Sequence, residues 1–276
     1  TGHTGFKGSW LSLWLKSLGV NLTGYSLSPP TKPSLFELAK IADGMNSIEG
    51  DIRDLAHLES VIQKGTPEII IHMAAQSLVV KSYDDPHQTY TTNVLGTLNV
   101  LEATRLSDSV KVVAIITSDK CYQNQEWRWG YRESDILGGK DPYSNSKACA
   151  ELITLAYRES FFSPSNPKSK SAAIATVRAG NVIGGGDWAK NRLIPDIIKA
   201  INTNSKLLIR NPSSTRPWQH VLEPLNGYMS LMEKLWFNKN YATEWNFGPN
   251  EKDMQPVSWV VDKLTEFWDK KITWEA

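Results

Sequence analysis

Cysteine is scarce in this sequence, and long apolar runs are missing from it. Cys121 and Cys149 are the only cysteines among 276 residues, too few for a disulfide framework, so a reducing environment fits best. No apolar stretch approaches the roughly 20 residues that span a bilayer. We therefore expect a cytoplasmic protein without a membrane partner.

An excess of charge of one sign is also missing. The 30 basic and 29 acidic side chains leave a formal net charge of +1. Binding to nucleic acid generally needs a concentrated basic field, so a nucleic-acid partner is not expected and a small-molecule substrate is the default. The length suits one main domain with a modest second lobe.

What the sequence does contain is an alternation of strand and helix patterns. The predicted strands cover residues 20–25, 68–73, 111–117 and 172–178, and a short one that ends at Asp51. The predicted helices cover residues 5–18, 55–64 and 89–105, and one that begins at Pro142. This order predicts an α/β protein with a Rossmann-type, doubly wound parallel sheet.

Three glycines open the chain in a G-x-x-G-x-x-G turn: Gly2, Gly5 and Gly8, with Phe6 and Lys7 between them. Glycines let the backbone approach a pyrophosphate, whose charge is met by free amides and the positive end of the helix dipole. Such turns also begin helices that bind nothing, so the turn alone leaves dinucleotide binding open. Because the turn normally follows a buried strand, we expect the sequence to lack the first strand of the fold.

Beyond Gly180 the regular alternation gives way to loops and short elements. Helices are predicted at 193–201, 224–236 and 257–270, and an extended segment at 206–210. We therefore divide the chain into a dinucleotide-binding domain, residues 1–180, and a smaller substrate-binding lobe. The lobe covers mainly residues 181–276, and some of its segments are expected to return to the first domain.

Asp51 and Ile52 follow the third strand of such a fold. The carboxylate can approach an adenine amino group there, and the isoleucine can pack against the ring. A helix cap is the alternative, and it is the better interpretation for Asp54. The acid that usually binds the adenosine ribose is not evident, and Ser28 stands near its place. NAD is the expected cofactor, with NADP left open.

Small residues follow the predicted strand at 68–73. Ala74 and Ala75 leave room for a cofactor across the strand ends, and Gln76 is expected to face the nicotinamide or the substrate. Asn93, in the following helix, can bond to backbone near the site, although alone it would be a surface polar residue. We assign His72 no catalytic role.

Tyr143 and Lys147 are the decisive pair. Residues i and i+4 share one face of a helix, so the ammonium is expected to depress the phenol pKa and to hold the nicotinamide ribose. A phenolate is a competent base for a substrate hydroxyl. Ser118 follows a buried strand at the sheet edge where ligands gather, and it can donate to the same hydroxyl.

These residues together resemble the extended short-chain dehydrogenase/reductase family, over almost the whole chain. That family includes epimerases, decarboxylases, reductases and dehydratases of nucleotide sugars, so the fold does not choose the reaction. Three longer stretches are similar to the NAD-dependent 4,6-dehydratases that act on CDP-glucose: TSDKCYQNQEWRWGYRESDILGGKDPYSNSK, RAGNVIGGGDW and RNPSSTRPWQHVLEPL.

The resemblance implies oxidation at C4 of the sugar, loss of water across C5 and C6, and return of the hydride to C6. Tyr143 would deprotonate the C4 hydroxyl with Ser118 sharing the hydrogen bond. Related dTDP-glucose dehydratases have an Asp-Glu pair where this chain has Asp119 and Lys120, so we expect Asp119 to be the acid and Lys120 the C5 base. No metal is assigned. The product would serve deoxysugar synthesis for surface polysaccharide.

The second half is expected to bind the nucleotide sugar. Asn181 is predicted to contact its pyrophosphate, and arginine forks suit phosphate oxygens. For a single arginine a solvated surface charge is the alternative, and His220 is equally compatible with a structural role. The predicted partners are Arg192, Arg210, Arg216, Gln219 and His220.

Two other functions stay open from the sequence. A nucleotide-sugar 4-epimerase, or a dehydratase of another nucleotide sugar, would share Tyr143 and Lys147, although Asp119 and Lys120 argue against an epimerase. A cofactor-binding regulator without turnover would have no need for the complete site. By analogy with the family we expect a homodimer, or a dimer of dimers, through helices 89–105 and 142–162.

Overall fold

The computed structural model describes residues 1–127, 129–163, 170–268 and 273–276. No helix within these ranges is both long and apolar enough to cross a membrane. The predicted end of the last long helix, at Lys270, lies outside the described residues.

The first part of the chain alternates strands and helices as predicted. Its strands are β1 Thr23–Ser26, β2 Asn46–Glu49, β3 Ile69–His72, β4 Val112–Ile116 and β5 Ala173–Ala179. Its helices are α1 Phe6–Ser17, α2 Leu35–Leu38, α3 Leu55–Gly65, α4 Val79–Asp84, α5 Pro86–Tyr90, α6 Gly96–Leu106 and α7 Pro142–Phe161.

Local capping fixes where the helices start. The Asp54 carboxylate accepts a hydrogen bond from the His57 amide at 3.0 Å, so α3 begins where the capping interpretation placed it. Asp141 accepts from the Ser144 amide at 3.0 Å, and Pro142 occupies the first turn of α7. The cap therefore sets the position of Tyr143 in the first turn of its helix.

The central sheet contains β3, β4, β5 and a later strand, β10 Glu244–Phe247, in the order β10-β5-β4-β3. Every pair in it is parallel. β1 and β2 form a second parallel pair. Thr1 and Gly2 lie between the two sets, because the Thr1 amine donates to Ile71 O at 2.7 Å and the Gly2 amide donates to Tyr25 O at 3.0 Å.

Apolar cores cover both faces of the central sheet, as parallel sheets require. Alternate residues of β4 point to opposite faces. Val112, Ala114 and Ile116 pack into a core with side chains of α1 and of a helix that follows the predicted domain boundary, α9 Leu222–Phe237. Val113 and Ile115 pack into a core with side chains of α3 and α6. The sheet is thus a rigid platform whose carboxyl ends carry the site.

The second part of the chain forms small paired strands and helices. Its further strands are β6 Val182–Ile183, β7 Leu207–Leu208, β8 Thr215–Pro217, β9 Gln219–His220, β11 Met254–Pro256 and β12 Trp274–Glu275, and its further helices are α8 Leu193–Thr203 and α10 Val257–Phe267. The pairs are β6 with β9, β7 with β12, and β8 with β11. A separate small core joins α8, β7 and α10. α9 and β10 pack on the main sheet instead.

One predicted helix is interrupted. The segment predicted at 89–105 consists of the end of α5, a π-helical turn at Thr91–Leu95, and α6. Asn93 lies in that turn, and π-turns inside helices are frequent at functional sites. The pattern of apolar residues predicts the helix but does not distinguish a wider turn within it.

Candidate active site

The glycine turn is built for close approach to a ligand. Gly2 has a φ of +74°, and a methyl group there would lie 2.6 Å from Ala74 N. A methyl group on Gly8 would lie 2.1 Å from Gly2 O. At Gly5 the nearest atom would be 3.5 Å away, so this side of the turn is open. No side chain caps α1, and its first amides are free to meet a pyrophosphate. These residues fit a dinucleotide.

The side chains of Phe6 and Lys7 pack in different parts of the molecule. Phe6 packs against the core beneath the turn. Lys7 is half-buried, and its ammonium lies 3.3 Å from the Tyr228 hydroxyl. Burial, together with the positive charges of Lys147 and Arg192, lowers the pKa of Lys7 to about 8. Lys7 therefore extends from the glycine turn and places its positive charge near Lys147, Arg192 and Asp119.

Asp51 and Ile52 lie after β2. The Asp51 carboxylate is held by Arg53, with Nη2 at 2.6 Å and Nε at 3.0 Å, and these hydrogen bonds lower its pKa. Ile52 is buried against Gly96 at the start of α6. The carboxylate thus has a partner within the chain, and the contact with an adenine stays a prediction.

Gln76 and Asn93 fix the loop that follows β3. The Gln76 amide nitrogen donates to Leu78 O at 3.1 Å and to Thr89 at 3.0 Å, and its oxygen accepts from the Leu78 amide at 2.7 Å. Asn93 accepts from the Gln76 amide at 2.8 Å and donates to Ser146 of α7 at 2.9 Å. The Gln76 side chain is therefore engaged within the protein, and its direct contact with a substrate stays a prediction. Ala74 borders the glycine turn through Gly2.

The predicted catalytic side chains come from two elements. Tyr143 and Lys147 are buried on α7, and the Lys147 ammonium donates to Ile116 O at the end of β4 at 3.2 Å. Two residues later Ser118 starts a 3₁₀ turn, and its hydroxyl donates to Asp119 Oδ1 at 2.9 Å. The Lys120 ammonium lies 3.8 Å from the same oxygen. The strand end and the helix thus bring all five predicted catalytic residues to one place.

The pKa values of the central pair correct one expectation. Burial raises the pKa of Tyr143 to about 12, although a hydrogen bond with Ser118 opposes the rise. Burial also lowers the pKa of Lys147 to about 8. The expectation that Lys147 depresses the phenol pKa was therefore wrong for the chain alone. The cost of charging a buried phenol is the largest effect on Tyr143, and the positive charge that opposes it is that of Arg192 rather than that of Lys147.

The segment after β5 closes the site from the other side. A methyl group on Gly180 would lie 3.3 Å from Asp119 Oδ2 and 2.4 Å from Pro217 of β8, so these segments are in close contact. The next residue, Asn181, has a buried side-chain oxygen without a hydrogen-bond partner among the described residues. Such an acceptor suits a donor from a ligand. Gln219 bonds to the Asn181 carbonyl through its own amide and donates to Phe247 O through its side chain.

Among the predicted phosphate-binding arginines, Arg192 lies close enough to Tyr143 for its positive charge to affect the pKa of the phenol. Its guanidinium bonds to Asp187 at 3.0 Å and to Ser77 at 3.2 Å. Its positive charge acts on the pKa values of both Tyr143 and Lys7. Arg192 is therefore placed to meet an anionic group of a ligand beside Tyr143.

The other predicted substrate residues lie farther out. Arg216 is half-buried in β8 beside Gln255 of β11, and Arg210 is exposed after β7 in the outer lobe. His220 is exposed, and its Nδ1 accepts from the Leu222 amide at 3.3 Å at the start of α9. This contact favours the structural interpretation of His220. Binding by these residues stays a prediction.

A buried ion pair behind the site was missed by the sequence analysis. Glu151 and Arg178 are 3% and 4% exposed, and their side chains meet at 2.8 Å. Glu151 lies four residues after Lys147 on α7, so the signal was a charged residue continuing the Tyr143–Lys147 face. Arg178 lies within β5, a strand that otherwise reads as apolar core.

The fold and the side chains brought together at the strand ends resemble those of the extended short-chain dehydrogenases/reductases. A glycine turn precedes α1, the strand ends carry Ser118, and the Tyr-Lys pair lies on α7. UDP-glucuronic acid 4-epimerase from Bacillus cereus, solved with UDP-glucuronic acid and NAD, has a TM-score of 0.84 at 19% identity and covers 99% of this chain and 83% of its own. dTDP-glucose 4,6-dehydratase from Bacillus anthracis, solved with NAD, has a TM-score of 0.77 at 22% identity, with 99% and 82% covered. These likenesses establish the Rossmann-type fold.

Comparison of sequences identifies the family to which the chain belongs. A family model described as GDP-mannose 4,6 dehydratase matches residues 1–247. CDP-glucose 4,6-dehydratase from Salmonella typhimurium is 54% identical over 275 residues, which cover 99% of this chain and 77% of that protein. dTDP-D-glucose 4,6-dehydratase from Dictyostelium discoideum is 26% identical over 248 residues, with 85% and 55% covered. The chain belongs to the GDP-mannose 4,6-dehydratase family of nucleotide-sugar dehydratases.

Proposed function

We propose that this chain is an NAD-dependent hydro-lyase that converts CDP-glucose to CDP-4-keto-6-deoxyglucose. The observation that carries the proposal is that Ser118, Asp119 and Lys120, at the start of the 3₁₀ turn Asp119–Cys121, lie beside Tyr143 and Lys147. Asp119 and Lys120 would serve there as an acid-base pair. The 54% identity to a CDP-glucose 4,6-dehydratase supports the nucleotide and the sugar. A 4-epimerase shares Tyr143 and Lys147, but its reaction has no use for the pair at Asp119 and Lys120.

The cofactor residues would be those of the glycine turn and of α7. Gly2, Gly5 and Gly8 leave the backbone accessible to a pyrophosphate, and Lys147 supplies an ammonium for the ribose hydroxyls. To contact the adenine, the Asp51 carboxylate would give up some of its hydrogen bonds with Arg53. When bound, NAD supplies the acceptor for the C4 hydride and later its donor at C6.

The chain's own residues move the protons. Tyr143 takes the proton of the C4 hydroxyl, and Ser118 holds that hydroxyl in line. The ketone formed at C4 makes the C5 proton acidic, so Lys120 can remove it, while Asp119 protonates the departing C6 hydroxyl. Asp119 and Lys120 are neighbours on one turn, with side chains 3.8 Å apart, so they can act on adjacent carbons.

The nucleotide diphosphate would be held from the second part of the chain. The side-chain amide nitrogen of Asn181 would donate to the pyrophosphate, and its buried oxygen, which has no partner among the described residues, would accept from a ligand hydroxyl or amino group. Arg192 offers its guanidinium beside Tyr143. Arg216 and Gln219 would extend the contact toward the nucleoside, and Arg210 and His220 would border it.

Assembly and location complete the proposal. We expect a homodimer through α6 and α7. α7 exposes Leu152 and Leu155 at 53% and 43%, and the π-helical turn before α6 exposes Leu95 at 42%. A cytoplasmic location is supported by the two unpaired cysteines, Cys121 and Cys149. The product would enter deoxysugar synthesis for a surface polysaccharide.

Parallel incubations with CDP-, dTDP-, UDP- and GDP-glucose test the substrate. We expect CDP-glucose to lose one water, measured by mass spectrometry, with a kcat/KM at least about tenfold above the other three, because buried hydrogen bonds to a base discriminate strongly. Dehydration of another nucleotide sugar in preference to CDP-glucose would contradict the assignment of the base. A product of unchanged mass would contradict the reaction.

A further inference from the structure

Glu151 continues the catalytic face of α7. Tyr143, Lys147 and Glu151 follow one another at intervals of four residues, so they lie along one side of the helix. Glu151 is only 3% exposed. A carboxylate buried to this extent is stable only when charged and hydrogen-bonded partners surround it. Its partners therefore show what it holds in place.

Both oxygens of the Glu151 carboxylate are engaged. Oε1 accepts a short hydrogen bond from the Thr117 hydroxyl. Oε2 accepts from the Thr176 hydroxyl at 2.6 Å and from Arg178 Nη2 at 2.8 Å. One oxygen thus faces the end of β4, and the other faces β5.

The contact with Thr117 reaches the catalytic turn. Thr117 directly precedes Ser118, and Lys147 bonds to Ile116 O at 3.2 Å. Lys147 and Glu151 therefore hold two consecutive residues, Ile116 and Thr117, against α7. The next residue in the chain is Ser118, so the attachment lies one residue from the group that faces Tyr143. Thr117 is also held by β5, because its amide donates to Val177 O at 2.9 Å.

Arg178 connects Glu151 to the residues that follow the 3₁₀ turn. Its Nη1 donates to the Tyr122 hydroxyl at 2.7 Å and to Glu133 O at 2.9 Å. Tyr122 in turn donates to Asn246 of β10 at 2.7 Å. Arg178 thus holds residues that follow Lys120, while its ion-pair partner Glu151 holds Thr117 before the turn. Both ends of the 3₁₀ turn are therefore anchored to the Glu151–Arg178 pair.

We propose that Glu151 is a positioning residue that holds Ser118 against Tyr143 through Thr117. The inference rests on the proposed function, because Ser118 and Tyr143 are the groups that it assigns to the C4 hydroxyl. A displacement of about 1 Å at a reacting group can cost about a hundredfold in rate. Loss of the attachment should therefore reduce kcat more than it reduces substrate binding.

The charge of Glu151 adds a second effect. Burial lowers the pKa of Lys147 to about 8, and the negative charge of Glu151 opposes this lowering. The other titratable groups around Lys147 are Tyr143 on the same helix, Lys7 on α1, His72 at the end of β3 and Cys121 in the turn. Without Glu151 the Lys147 ammonium would lose its proton at a lower pH.

Two isosteric variants test the attachment. Thr117→Val and Thr176→Val each remove one hydroxyl that bonds to Glu151, but only Thr117 adjoins Ser118. The Thr117 hydroxyl also lies 3.3 Å from Val177 O, and the amide of residue 117 keeps its own bond to that oxygen in T117V. We expect kcat to fall at least about tenfold in T117V and at most about threefold in T176V, with similar losses of Tm and little change in KM. Equal losses of kcat in the two variants would show that the carboxylate serves stability alone and would overturn the inference.

A third variant tests the charge. Glu151→Gln should move the basic limb of the kcat profile to lower pH by about one unit, because the Lys147 ammonium loses a nearby opposite charge. An unchanged basic limb would overturn this part of the inference. The wild-type enzyme is assayed first: lack of dehydration there refutes the proposed function, whereas an active wild type with indistinguishable T117V and T176V refutes only the role of Glu151.

Discussion

At the scale of single residues, burial dominates the chemistry of the site. It raises the pKa of Tyr143 to about 12 and lowers the pKa of both Lys7 and Lys147 to about 8. Near neutral pH the phenol of the chain alone therefore keeps its proton and cannot act as a base. Additional positive charge close to its oxygen would favour the phenolate, and NAD, when bound, would supply positive charge from its nicotinamide ring. Tyr143 is therefore suited to act only after the cofactor and the substrate are in place.

Lys120 gives the sharpest prediction at this scale. Lys120→Met should abolish exchange of the C5 proton with solvent deuterium, because methionine has no basic group, and kcat should fall by at least about a hundredfold. Exchange is measured by mass spectrometry of the recovered nucleotide sugar.

The matched control is Lys140→Met. Lys140 is an exposed lysine of the loop before α7, so kcat and exchange should stay near the wild-type values. Exchange at the normal rate in K120M would show that another group removes the C5 proton.

At the scale of elements, two glycines of the turn are expected to have different roles, Gly8 in packing and Gly5 in the approach of the ligand. Gly8→Ala should lower Tm and weaken NAD binding, because its methyl group would meet Gly2 O at 2.1 Å. Gly5→Ala should keep a Tm close to wild type, since the nearest atom is 3.5 Å away, yet it should weaken NAD binding at least about tenfold by occupying the approach of the pyrophosphate. Thermal denaturation and NAD titration measure the two effects. Wild-type affinity in G5A would contradict the assignment of the turn.

The long helices and the inner strands were predictable because their patterns are local, whereas the short helices α2 and α4 were missed. α7 begins at Pro142 as predicted, and β4 differs from its predicted range by one residue at each end. β10 was missed, because Glu244–Phe247 becomes a sheet strand only by pairing with β5 far away in the chain.

The same distinction holds for the site. Tyr143 and Lys147 form a pair at a spacing that the sequence displays directly. The partnership of Glu151 with Arg178 was missed because it joins a helix to a strand and exists only after folding. The pKa of Tyr143 was predicted in the wrong direction for the same reason, since sequence spacing reveals a neighbouring charge but not the depth of burial.

At the scale of the whole molecule, exposed leucines on α7 and in the π-helical turn before α6 predict self-association. Leu152→Glu together with Leu155→Glu should convert a dimer to a monomer in sedimentation velocity, because the substitutions place charge where an apolar interface would form. Leu18→Glu is the control, since Leu18 is 62% exposed at the far end of α1. A wild-type monomer, or a double variant that remains dimeric, would contradict the interface.

The central claim is that one site oxidises a sugar, removes water from it and reduces it again. The most direct measurement is the mass of the product formed from CDP-glucose in D₂O by the purified protein with NAD. We predict a product that has lost one water and gained one deuterium at C5, because the C5 proton is removed by a base and replaced from solvent. A product of unchanged mass, or a dehydrated product without deuterium, would contradict the account.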